Sequence, residues 1–163
     1  MKKRITIITG PIKSGKTTHL EKLISSLKDA GGITQILSGS KRFLHDISSG
    51  EQVELTSQTF DKDTFKIGKF TFRKSAFIWA KEKLENSLLS GNKTIVIDEY
   101  GPLELNGEGL EPLFSEIISK IKSNFDLQVI VVVRDKLLKE FLLKFELDES
   151  EVKIEIISNN FSQ

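Results

Sequence analysis

Residues 10–18 read Gly-Pro-Ile-Lys-Ser-Gly-Lys-Thr-Thr, and no other stretch limits the possible folds so strongly. An apolar run at 5–8 precedes them, and Leu20, Leu23, Ile24 and Leu27 follow at helical spacing. The order is strand, glycine loop, helix, with G-x-x-x-x-G-K-T in the loop. A strand delivers the backbone to the sheet edge, and Gly10 and Gly15 permit a curl that a Cβ would obstruct. Successive N–H groups then converge on one concavity, joined by the unpaired donors and positive dipole end of the helix. Such a cradle fits a polyphosphate. The nucleotide-binding set is therefore Gly10, Pro11, Ile12, Lys13, Ser14, Gly15, Lys16, Thr17 and Thr18. Lys16 is placed to reach the β- and γ-phosphates, and the Thr17 hydroxyl to sit on Mg²⁺. Pro11 stands five positions before Lys16, which excludes the motif variant with a second, signature lysine there. Lys13 reads equally as a phosphate contact or as a solvated loop lysine.

Chain length and charge narrow the setting. One hundred and sixty-three residues make one domain, 1–163, with room for a single core. A net charge of +1 leaves no cationic excess to neutralise a nucleic-acid backbone, so no nucleic-acid partner is expected. The absence of cysteine excludes disulfides, thiolate metal sites and a thiol nucleophile, and fits a cytoplasmic protein. The start, Met1-Lys2-Lys3-Arg4, has the charge of a signal peptide. The apolar segment after it is too short and runs into the phosphate loop, so it reads as a strand. No stretch approaches a membrane span.

Further along, Gly31-Gly32 predicts a helix stop, because glycine takes the left-handed cap conformation readily. A short strand follows at 33–37. Residues 42–57 read as a β-hairpin turning at Gly50, and 65–72 as one further strand, making an insertion around 38–72. Five of the eleven phenylalanines lie there (43, 60, 65, 70 and 72), which suits packing of the insertion better than an aromatic platform for bases. A helix is predicted at 75–89, a strand at 94–97 and a loop at 100–109. The next helix starts at Leu110, with Pro112 in its first turn. A strand at 129–133, a helix around 137–145 and an alternating strand at 152–157 complete the pattern. The runs at 5–8, 95–97 and 129–133 are apolar on both faces, so they belong inside a parallel sheet covered by helices, with 152–157 at an edge. This is a doubly wound α/β sheet binding ligands at the carboxyl ends of its strands.

Asp98-Glu99 ends the 94–97 strand. Beside a phosphate loop, Asp98 is the candidate Mg²⁺ ligand opposite Thr17, and Glu99 the candidate acceptor of a proton from an attacking water. Lys16, Asp98 and Glu99 are thus the candidate catalytic residues. P-loop proteins that hydrolyse nucleotides with this added glutamate resemble one another in placing another strand between the two motif strands. The 129–133 strand suits that place, giving the core order 5-1-4-3-2 and bringing Arg134 near the γ-phosphate. Arg134 is then either a γ-phosphate sensor or charge-stabilising arginine, or else a surface partner of Asp135 or of a neighbouring helix. Arg4 starts the first strand at the wrong end, leaving Arg42, Arg73 and Arg134, and Arg73 reads as a solvated helix-start residue. His19 and His45 read as a helix-face residue and a hairpin residue.

These motifs resemble the THEP-type nucleoside triphosphatases. The likeness rests on GPIKSGKTT at 10–18, GGITQ at 31–35, RFLHDISSGE at 42–51, KIGKF at 66–70, VRDKLL at 133–138, and above all VIDEYGPLEL at 96–105. Two features depart from that family: the loop carries Ile12, Lys13 and Ser14 where glycine is more usual, and Arg42 is followed directly by Phe43. The resemblance implies a RecA-like P-loop fold and slow, Mg²⁺-dependent hydrolysis of ATP, GTP and other nucleoside triphosphates. It also gives phosphate and metal roles to Lys16 and Thr17, and metal and water roles to Asp98 and Glu99. Two alternatives stay open: a nucleotide or small-molecule kinase, although such enzymes need several lid arginines, and a nucleotide-gated adaptor signalling to a protein partner through 38–72. No N/T-K-x-D guanine signature occurs, and the preferred base is not fixed.

Overall fold

The computed structural model describes residues 2–11, 14–124 and 126–158. Nine strands and five α-helices alternate along these residues: β1 Ile5–Gly10, α1 Lys16–Ser25, β2 Ala30–Ser38, β3 Lys41–Asp46, β4 Gln52–Glu54, β5 Thr64–Ile67, β6 Phe70–Arg73, α2 Lys74–Leu89, β7 Thr94–Tyr100, α3 Pro102–Leu105, α4 Leu113–Ser123, β8 Gln128–Arg134, α5 Leu138–Lys144 and β9 Lys153–Ile156. Seven strands form one sheet in the order β4-β3-β2-β7-β8-β1-β9. Neighbours from β2 to β9 run parallel, while β3 and β4 add antiparallel. Five strands of this sheet, read from its β9 edge, reproduce the expected core order 5-1-4-3-2.

The reason lies in the side-chain alternation of the central strands. Ile7, Ile95, Ile97, Val129, Val131 and Val133 pack into one core with α2, α4 and α5, whereas Ile8, Val96, Ile130 and Val132 pack with Leu20 of α1 on the opposite face. Both faces are apolar, so helices must cover both. Strand β9 lies at the edge as expected, but its burial does not follow the sequence alternation: Lys153 and Ile156 are exposed, while Ile154 and Glu155 are half-buried. Helix α4 buries Phe114, Ile117, Ile118 and Ile121 along one stripe.

Four local readings are corrected. Gly31-Gly32 does not cap α1, which ends at Ser25, but lies inside β2. A Cβ at Gly32 would lie 2.0 Å from the Val96 carbonyl oxygen, and one at Gly31 would lie 2.6 Å from Ser87 Oγ. These glycines allow β7 and α2 to approach closely, a demand that sequence does not distinguish from a cap. The segment 65–72 forms two strands, β5 and β6, folded back at Gly68 and paired apart from the main sheet. The 100–109 stretch contains the one-turn helix α3, closed by the Glu104 carboxylate accepting the Gly101 N–H at 2.9 Å. Helix α4 starts after Pro112, which flanks its first turn. The insertion phenylalanines divide: Phe65 and Phe72 pack tilted and edge-on against Phe77 of α2, while Phe60 is exposed.

Candidate active site

The carboxyl ends of β1, β7 and β8 converge with the start of α1 on a cavity of about 320 Å³. Ser14, Gly15, Lys16, Thr17 and Thr18 form one wall, and Asp98, Glu99 and Arg134 the other. Gly15 holds φ 91°, a left-handed conformation that turns the loop into α1. No side chain caps α1, so its first-turn N–H groups stay available to an anion. Gly10 is needed for space, since a Cβ there would lie 2.3 Å from the Ile157 carbonyl oxygen. The assignments to Ile12 and Lys13 lie outside the described residues.

Lys16 is buried, and its ammonium donates to the carbonyl oxygens of Gly10 at 3.0 Å and Pro11 at 2.6 Å. Burial lowers its pKa, and the Glu99 charge opposes that shift. The ammonium is therefore tethered inside the loop by neutral carbonyls, which an anion can replace as partner. Thr17 Oγ1 donates to Asp98 Oδ2 at 3.2 Å, which joins the phosphate loop to the end of β7. The Gln35 N–H donates to the same oxygen at 3.4 Å.

Asp98 is only 5% exposed. Burial, and then the neighbouring Glu99 charge, push its carboxyl up to about 7, against the two hydrogen bonds. A carboxylate so placed is ionised most easily beside a cation. Hydroxyl and carboxylate oxygens are the hard donors that Mg²⁺ takes, and one or two protein oxygens suffice when phosphates and waters complete its shell. Thr17 and Asp98 thus fit that ion by chemistry and by proximity. Among the described residues no group of three or more His, Cys, Asp or Glu side chains forms a metal cage.

Successive residues of a regular strand point to opposite faces, which would separate Asp98 from Glu99. The β7–β8 pairing slips here: Ile97 is opposite Val131 but Tyr100 opposite Val133, so two residues face one. This irregularity lets both carboxylates line one cavity. Glu99 Oε1 lies 3.3 Å from Arg134 Nη2, so Arg134 takes Glu99 rather than Asp135 as its carboxylate partner.

Other candidates fall away from this cavity. His19 lies on α1 with Nε2 2.5 Å from Glu155 of β9, and His45 lies on β3 beside Gln52. Arg73 is not simply solvated, since its Nε donates to the Thr56 carbonyl at 3.2 Å. Arg42 lines the phosphate cavity from β3, a placement the motifs did not single out. The signal was present in elimination, since only four arginines exist.

A protein-family model described as NTPase matches residues 5–161. The chain belongs to this family. It is a nucleoside triphosphatase with the P-loop fold and nucleotide substrates that its loop motif implies. The crystal structure of THEP1 from the hyperthermophile Aquifex aeolicus superposes with a TM-score of 0.68, covering 94% of this chain and 90% of that one at 19% identity. At that identity the likeness speaks for the fold. No curated protein gives a significant sequence match. No described helix is long and apolar enough to cross a membrane.

Proposed function

We propose that this triphosphatase hydrolyses ATP, GTP and other nucleoside 5′-triphosphates to the diphosphate and phosphate in a Mg²⁺-dependent reaction, within one domain and in the cytoplasm. The observation that carries this reading is the Thr17–Asp98 hydrogen bond of 3.2 Å. It brings the acids of β7 to the loop built for a polyphosphate.

In this reading the loop amides and Lys16 hold the β- and γ-phosphate oxygens, with Lys16 exchanging its carbonyl partners for them. Mg²⁺ held by Thr17 and Asp98 would supply positive charge to the same oxygens. A water beside Glu99 attacks the γ-phosphorus in line and gives its proton to the Glu99 carboxylate. The bond from the γ-phosphorus to the bridging oxygen breaks, and the diphosphate keeps that electron pair. Arg134 orients Glu99 through their ion pair and serves as the γ-phosphate sensor. The test is phosphate release from ATP, GTP, CTP and UTP with and without Mg²⁺. Release from several triphosphates that stops on chelation supports the reading; release indifferent to chelation removes the metal role.

One observation favours a kinase as a second reading. Gln35, Arg42, Glu99 and Arg134 also border a second cavity of about 320 Å³, walled by Phe70, Phe72 and Phe77. An acceptor there would lie on the far side of Glu99. Transfer of a labelled γ-phosphate to a nucleoside or nucleoside monophosphate faster than to water would favour it.

A further inference from the structure

Three cations face the phosphate cavity from the described residues, and they differ in what they already hold. Lys16 is tied to the Gly10 and Pro11 carbonyls. Arg134 has Glu99 at 3.3 Å. Arg42 has no carboxylate within ion-pair distance among the described residues, and its Nε is buried with no hydrogen-bond partner. A buried guanidinium N–H left unpaired is costly, so a native protein retains one where a ligand completes it. Of the three, Arg42 has charge and donors unspent.

Its mounting supports the same conclusion. The Arg42 backbone is fixed on both sides, its N–H donating to Thr56 Oγ1 at 3.1 Å and its carbonyl accepting the Leu55 N–H at 2.8 Å. The guanidinium carbon lies 4.6 Å from the ring centroid of Phe70, which begins β6. A flat aromatic face holds a guanidinium without using its in-plane donors. Phe70 thus positions Arg42 and leaves its donors for another partner.

We infer that Arg42 is a catalytic residue of this reaction: a cis-acting arginine, held in place by Phe70 of the β5–β6 hairpin, that donates to the γ-phosphate of the bound nucleoside triphosphate. The inference rests on the hydrolytic reading above and gives the 38–72 insertion a task in it. A guanidinium at this place meets the charge spreading over the γ-phosphate oxygens as the bridging bond breaks. It also lets the cavity tell a triphosphate from a diphosphate, since only the former carries the group that Arg42 reaches.

The experiment compares Arg42→Ala, Arg42→Lys and Phe70→Leu with the wild-type protein. Each is assayed for phosphate release from Mg·ATP and for binding of fluorescent ADP and of a fluorescent β,γ-imido triphosphate. Arg42→Ala is expected to lower kcat about 100-fold or more. Its affinity for the imido triphosphate should fall about tenfold, with the diphosphate unchanged. Arg42→Lys keeps the charge but loses the planar donor fork, and should stay well below wild type. Phe70→Leu keeps the apolar fill and should lower kcat about threefold to tenfold through misplacement. Should Arg42→Ala not fold, Arg42→Lys supplies both readouts. A kcat within twofold of wild type, or equal losses for triphosphate and diphosphate, overturns the role of Arg42. Wild-type protein that releases no phosphate overturns the hydrolytic reading instead, and the two binding arms still decide whether Arg42 senses the γ-phosphate.

Discussion

Two pairs of acids follow the core of β7 and live in opposite circumstances. Asp98 and Glu99 border the phosphate cavity. Glu104 and Glu111, six and thirteen positions after Asp98, are 4% and 5% exposed and are satisfied from within the protein. Glu104 accepts the N–H groups of Gly101 at 2.9 Å and Leu110 at 3.0 Å. Glu111 accepts the Ser115 N–H at 2.7 Å, the Ser115 hydroxyl at 2.6 Å and the Tyr100 hydroxyl at 3.2 Å, and lies 3.1 Å from Lys144 Nζ. One pair borders the cavity beside the glycine loop; the other ties the 101–115 segment together. Burial alone therefore does not mark the proposed catalytic acids. What separates the two pairs is that only Asp98 and Glu99 share a cavity with the glycine loop, whereas Glu104 and Glu111 serve the backbone and hydroxyl donors of their own segment.

The largest expected difference between the two neighbourhoods is in turnover. Lys16→Ala removes the ammonium of the phosphate side and should lower phosphate release at least 1000-fold. Triphosphate affinity should fall at least tenfold, while thermal stability changes by only a few degrees. Phosphate release, fluorescence titration and a melting curve together check this. On the other side, Glu111→Ala removes the acceptor of the Ser115 N–H and hydroxyl and the carboxylate beside Lys144, leaving Lys144 and Tyr100 only the Glu104 carbonyl. It should cost about 3 kcal/mol of stability, or roughly 10 °C in melting temperature, with kcat of the folded protein within twofold. A collapse of kcat without loss of stability would break the distinction.

A smaller effect comes from pH. Burial pushes the Glu104 carboxyl up to about 7, the flanking N–H groups opposing, from an ordinary value of 4.5. Between those values the folded protein binds more protons than the unfolded chain, so stability falls as pH rises from about 4.5 through 7 and then levels off. Relative to Glu104→Gln, the wild-type protein should lose about 2 kcal/mol between pH 5 and pH 8, read from urea midpoints. Equal slopes in the two proteins would show that the carboxyl is already ionised throughout. Smallest is Lys144→Met, which keeps most of the apolar stem but removes the donor to the Glu104 carbonyl at 2.8 Å and the cation 3.1 Å from Glu111, whose Ser115 and Tyr100 donors remain. It should cost about 1 kcal/mol in denaturant unfolding and leave nucleotide binding unchanged.

Much of this was legible in the sequence because it depends on residue pattern. Glycines flanking a lysine and a threonine between an apolar run and a helix allow few architectures. Doubly apolar strands at 5–8, 95–97 and 129–133 demand helices on both faces. The rest depends on contacts between distant segments. Gly31-Gly32 serves close approach of Val96 and Ser87, which no local signal separates from a helix cap. The break between β5 and β6 rests on one glycine within an alternating strand pattern. Arg42 reaches the cavity because β3 starts beside the carboxyl end of β2, where Arg42 is opposite Leu37. In VIDEYGPLEL, the Asp-Glu pair was readable as chemistry, whereas Glu104 gave no sign of being a buried cap for Gly101.

Glu99→Gln tests the central claim most directly, with single-turnover phosphate release from Mg·ATP followed beside triphosphate binding on the same protein. The phosphate loop, Lys16 and Thr17 remain intact in this variant, so affinity should stay within about threefold while release slows about 1000-fold. Release at the wild-type rate, or loss of binding and turnover together, would contradict the assignment of Glu99 as the group that takes the proton from water.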